Sequence, residues 1–121
     1  MRIEDHIAKA KRLEATLAKL DLDRDHALCL EGYMLAGTHL LNALLHQRAV
    51  TSEKFDLNHT DRPVLDKPVD ESLRPVFAAL KRIEDLRPDY LRGTKSWTPE
   101  QARTCRDSYA AIKAAADQAL G

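Results

Sequence analysis

The chain has 121 residues, 19 Lys and Arg against 19 Asp and Glu, 44% apolar residues and two Cys. That size suits one globular domain and leaves little material for a second. Balanced charge argues against a protein that holds nucleic acid by bulk phosphate attraction, and the apolar content argues against a disordered tail. With 75 residues between them, Cys29 and Cys105 form no zinc or redox spacing. A reducing, cytoplasmic setting is the expectation.

From Ile3 the apolar residues Ile7, Ala10, Leu13, Leu17 and Leu20 recur in steps of three and four, predicting an amphipathic helix over about 2–20. A turn follows near 20–24, where Asp21 and Asp23 offer capping side chains. A second helix over about 25–47 is apolar nearly all round, which places it at a bundle centre or in a dimer interface. Gly32 and Gly37 inside it suggest close approach by a neighbouring backbone. Its longest run without Asp, Glu, Lys or Arg, from Gly32 to Gln47, includes His39, Asn42 and His46, so no membrane span is expected.

Between Arg48 and Val69 periodicity is lost, and a long loop with His59 and Asp61-Arg62-Pro63 is expected. Leu73, Val76, Phe77, Leu80, Ile83 and Leu86 mark a third helix over about 72–87, with Pro88 expected to end it. Thr98-Pro99-Glu100-Gln101 then reads as an N-cap, a proline at the first helical position and a capping-box partner, opening a fourth helix over 99–120. Cys105 lies on that helix's core stripe, a place for a buried apolar side chain rather than a nucleophile. The predicted fold is all-α: a single-domain, four-helix up-and-down bundle with a long loop between helices 2 and 3.

Two polar constellations stand out. On the second helix Glu31, Thr38, His39, Asn42 and His46 share an arc of roughly 100°. With His59 folding over from the loop, Glu31, His39, Asn42 and His46 would line a cleft, and His39 and His46 are its candidate catalytic groups. His39 and His46 are seven residues apart, about 10.5 Å along a helix axis, too far to bind one ion together. The spacing leaves open a metal site of His46, His59 and a carboxylate from another helix, but no metal or cofactor is called for outright. The second constellation lies at the corner after helix 3. Arg87, Arg92, Lys95, Arg103 and Arg106 outnumber Asp89 and Glu100 there by three charges, beside Tyr90 and Trp97. Basic groups interleaved with aromatics suit phosphates and bases.

The order of a tyrosine-containing apolar second helix, Leu86-Arg87-Pro88-Asp89-Tyr90 and Thr98-Pro99-Glu100-Gln101-Ala102 resembles the HEPN superfamily of small helical bundles, over residues 26–120. The resemblance implies a homodimer, with RNA, a nucleotide or a nucleotidyltransferase-like protein as partner. Many members of that family are ribonucleases whose signature is an Arg and, after four to six intervening residues, a His. Arg87 matches the Arg, but Arg92, Gly93 and Thr94 hold no histidine. The resemblance therefore implies a noncatalytic binding or regulatory module, with Arg87, Asp89, Tyr90, Arg92, Lys95 and Trp97 as its ligand-binding residues. On that reading Arg87→Ala weakens ligand binding and spares thermal stability. The alternatives are an enzyme or metal-binding bundle using the His39, Asn42 and His46 cleft, and a purely structural protein-interaction bundle.

Overall fold

The computed structural model of the chain describes residues 1–58 and 71–121. Within them the chain forms α1 (Ile3–Leu17), α2 (His26–Gln47), a single 3-10 turn (Glu71–Leu73), α3 (Arg74–Tyr90) and α4 (Pro99–Leu120), with no strand. The all-α prediction holds, and each helix falls close to its expected place.

Packing partners give the topology. His6 meets His39 while Leu17 lies over Gly32, so α1 and α2 run antiparallel. Gly37 faces Leu80, and Glu31 pairs with Arg87, which sets α3 antiparallel to α2. Arg82 reaches Ser108, and Tyr90 packs edge-on against Trp97, turning α4 back along α3. α2 contacts all three other helices, and its Leu30, Met34, Leu41, Leu44 and Leu45 are buried against Leu80, Ile83, Cys105 and Ile112. Most of the apolar circumference of α2 is thus covered within one chain, with Leu28 and Leu35 left exposed. By length and mean hydropathy α2 could cross a membrane, yet 72% of that window is buried inside the protein.

Gly32 and Gly37 answer to side chains rather than to a neighbouring backbone. A Cβ on Gly32 would lie 2.6 Å from Leu17 Cδ2, and one on Gly37 would lie 2.9 Å from Leu80 Cδ1. Cys105 is fully buried, and burial pushes its thiol up to about 12, which rules it out as a nucleophile at neutral pH. α3 continues through Pro88 to Tyr90 instead of stopping at Arg87. In a last turn a proline forfeits one helical hydrogen bond. The Leu91 and Arg92 N–H groups both close onto the Arg87 carbonyl at 3.0 and 3.1 Å, and Tyr90 is held by Trp97. At the start of α4 the Thr98 N–H donates to Gln101 Oε1 at 3.0 Å, as the capping-box pattern predicts.

The exit from α2 decides where the next segment lies. Ala49 N–H donates to His46 O and Val50 N–H to Leu45 O, with Ala49 at φ 56°. Those two bonds form a Schellman motif, in which the left-handed residue reverses the chain. Residues 50–58 consequently return beside α1 and α2. The rest of the expected loop, including His59 and Asp61-Arg62-Pro63, lies outside the described residues.

Candidate functional site

Three segments meet where α1 begins, α2 ends and the returning chain passes between them. His6 comes from α1, His39, Asn42 and His46 from α2, and Asp56 from the irregular segment. The side chains of His6 and His46 are each 2% exposed, and that of Asp56 is 31% exposed. His6 Nε2 lies 2.9 Å and His46 Nε2 2.8 Å from the same oxygen, Asp56 Oδ1. The Met1 amine sits 3.2 Å from Asp56 Oδ2. His6 Nδ1 lies 2.9 Å from His39 Nδ1, and His46 Nδ1 lies 2.8 Å from Thr51 Oγ1.

Protonation follows from this geometry. Burial alone would raise the Asp56 carboxyl, but hydrogen bonds from His46, His6 and the Met1 amine outweigh it and hold the group below its ordinary value. The resulting carboxylate accepts only, so His6 and His46 each carry their proton on Nε2. Burial pushes His6 down more than its Asp56 bond lifts it, keeping its ring neutral. A neutral His6 with Nε2–H presents a bare Nδ1, so His39 must donate from Nδ1. Burial, then the His6 ring and Lys9, also push His39 down. The neutral His39 ring is left with a lone pair on Nε2. That nitrogen belongs to a residue that, with Leu35, is shared by two hollows. One, of about 140 Å³, is lined by His6, Thr38, His39, Asn42 and Asp56. The other, of about 300 Å³, is lined by Lys9, Arg12, Leu13 and His39.

Asn42 fixes the position of Asp56 through the next residue. Its Nδ2 donates to Leu57 O at 2.9 Å and to Thr38 O at 3.0 Å, while its Oδ1 accepts from Leu57 N–H at 2.7 Å. A buried side-chain amide here replaces the backbone partner that a strand would supply. His39, Asn42 and His46 of α2 thus each have a polar partner.

The arrangement can hold an ion. His6, His46 and Asp56 each offer one ligand atom, and these atoms all lie within 4.8 Å of one another. Around a tetrahedral ion with bonds of about 2.0–2.1 Å, neighbouring ligand atoms sit roughly 3.3 Å apart. To admit one, the two N···O contacts need to open by about half an ångström and the two Nε2 atoms, within 4.8 Å of each other, to close to the same spacing, a shift of up to about 1.5 Å. Asp56 sits on irregular chain, where the opening is cheapest. Thr51 and His39 already stand at the Nδ1 atoms of His46 and His6, as outer partners do for metal-bound imidazoles.

Of the predicted cleft residues, His39, Asn42 and His46 come together. Glu31 lies toward the other end of α2, where Arg87 Nε and Nη2 donate to its Oε1 at 2.8 and 2.6 Å. His6 and Asp56 were not among the predicted site residues. His6 nevertheless falls on the spacing 6, 10, 13, 17 of the buried face of α1, and a histidine on a core stripe is a signal. Asp56 carries no periodic signal.

At the predicted basic corner two of the five cations are paired, and Arg103 and Arg106 are exposed without an ion pair among the described residues. Arg87 is bound to Glu31, Lys95 Nζ lies 3.2 Å from Asp89 Oδ2, and Trp97 stacks on His26 with ring centroids 4.9 Å apart and meets Tyr90 edge-on. Arg92 is exposed. The Glu31 pairing changes what Arg87→Ala should do: the part-buried carboxylate loses its partner, so a loss of about 1 kcal/mol is expected. Thermal unfolding checks it as a fall of a few degrees in Tm.

Comparison with family models, with curated proteins and with solved structures finds no match to this chain.

Proposed function

We propose that this bundle is a metal-binding protein with a reaction centre, holding one first-row divalent transition ion through His6 Nε2, His46 Nε2 and Asp56 Oδ1. The single observation that supports it is the convergence of three ligand atoms from three separate chain segments, two of them on residues that line a cavity. Two imidazoles and a carboxylate suit zinc or iron(II) better than magnesium or calcium, which prefer oxygen-only shells. Three protein ligands leave a position for water or substrate, as catalytic sites do and closed structural sites do not. The small hollow beside His6 and Asp56 offers room for that fourth ligand.

The binding module implied by the HEPN resemblance, with a homodimer and RNA, nucleotide or nucleotidyltransferase-like partners, draws less support. Arg87, its central cation, is spent on Glu31, and of the apolar α2 that would carry dimerisation the chain's own helices leave Leu28 and Leu35 as the exposed large apolar residues.

Titration of chelator-treated protein with zinc by isothermal calorimetry, and with cobalt(II) by visible absorbance, tests the proposal. One equivalent bound, with the intense visible bands of tetrahedral cobalt, is the expected result. Failure of both ions to bind overturns it.

A further inference from the structure

The larger hollow has a chemistry of its own. Lys9, Arg12, Leu13 and Thr16 stand at spacings of three, four and seven residues, so they share one face of α1. Leu35 and His39, four apart on α2, form the opposite wall. The space between them is about 300 Å³, at the small end of sites for organic ligands. Its floor is apolar, and Leu35 is one of three large hydrophobic residues left exposed among those described.

Its rim is cationic without internal compensation. Among the described residues neither Lys9 nor Arg12 forms an ion pair. Two acids of α1 are committed elsewhere: Asp5 pairs with Arg2, and Glu14 meets Tyr109 and Lys113 on α4. Lys9 is near enough to His39 for its charge to act on that ring. Two unneutralised cations above a leucine floor match a molecule with one anionic end and a short apolar body. The Arg12 fork suits a planar carboxylate. His39, standing in both hollows, connects this groove with the His6, His46 and Asp56 cluster.

We propose that the α1–α2 groove binds a small organic carboxylate, its anionic end on Lys9 and Arg12, its apolar body on Leu13 and Leu35, and its far end directed past His39. The carboxylate grip stands without a metal. Only the assignment of this ligand as the substrate of the metal centre rests on the function proposed above.

Benzoate is the probe, with benzamide as its neutral isostere and inorganic phosphate as an anion without an apolar body. NMR of the full chain, metal-free and with zinc added, follows the Leu35 methyl groups and the His39 ring. Benzoate is expected to move both sets of signals, and benzamide and phosphate to move neither. The double variant Lys9→Ala/Arg12→Ala, altered only at exposed positions, should weaken benzoate by about tenfold or more. Equal binding of benzamide or phosphate, or an unchanged affinity in the double variant, overturns the groove. If zinc itself does not bind, the metal centre falls, and the benzoate arm on metal-free protein still decides the groove. If zinc binds and benzoate affinity is the same with and without it, the groove is not the substrate site of that centre.

Discussion

His46→Ala is expected to lower zinc affinity by at least about a hundredfold, because it deletes a ligand, whereas loss of an outer partner typically costs 10–100-fold. His39→Ala supplies the comparison, since His39 touches the centre only through His6 Nδ1. It should fall within the smaller range. Thermal shift gives a second readout: zinc at a hundred times its Kd adds about 2.7 kcal/mol to the wild type, a rise of roughly 10 °C for a chain of this size. His46→Ala should show no such rise. A proton relocation accompanies binding and belongs to this site alone. In the metal-free protein His6 carries its proton on Nε2 and His39 on Nδ1. An ion on His6 Nε2 forces the His6 proton to Nδ1, where it points at His39 Nδ1, and His39 must then hold its own proton on Nε2. Each ring stays neutral and no proton is gained or lost between them. Nitrogen NMR of the His39 ring should therefore switch tautomer on zinc addition. An unchanged His39 tautomer in zinc-loaded protein would place the ion somewhere other than His6.

The bundle was legible because helix periodicity and the Thr98-Gln101 cap act locally and agree with one another, whereas Pro88 did not end α3. The centrality of α2 was legible for the same reason: an apolar circumference needs neighbours on every side. Its polar arc was readable too, and it brought His39, Asn42 and His46 to attention together. The arc could not tell where its partners came from. At about 1.5 Å per residue it spreads over more than one site, which is why Glu31 ends with Arg87 instead of with the histidines. His6 could have been found, since it sits where a core apolar residue is due. Asp56 could not. Its place follows from the left-handed turn at Ala49 and the amide clamp of Asn42 on Leu57, neither of which leaves a pattern in an aperiodic segment. Arg87 shows the converse: its position in the sequence advertised a free cation, and a residue 56 positions away claimed it.

Asn42→Leu tests whether that clamp builds the site. The change keeps the side chain's approximate size and removes only its polar atoms, so packing around a residue that is 1% exposed is largely preserved. The Leu57 N–H and C=O both lose their side-chain partner in a buried setting, and each unsatisfied group costs about 1–3 kcal/mol. A total loss of about 2–6 kcal/mol is expected unless the segment detaches and recovers water as its partner. Detachment carries its own signature. The Leu57 amide would exchange hydrogen rapidly, while core amides such as those of Leu41 and Ile83 would keep their protection relative to the variant's own global stability. Asp56, one residue away, would move with Leu57, so zinc affinity should fall by about 10–100-fold although every ligand is still present. Retained zinc affinity alongside a rapidly exchanging Leu57 amide would mean that the histidines themselves, and not Asn42, hold Asp56 in place.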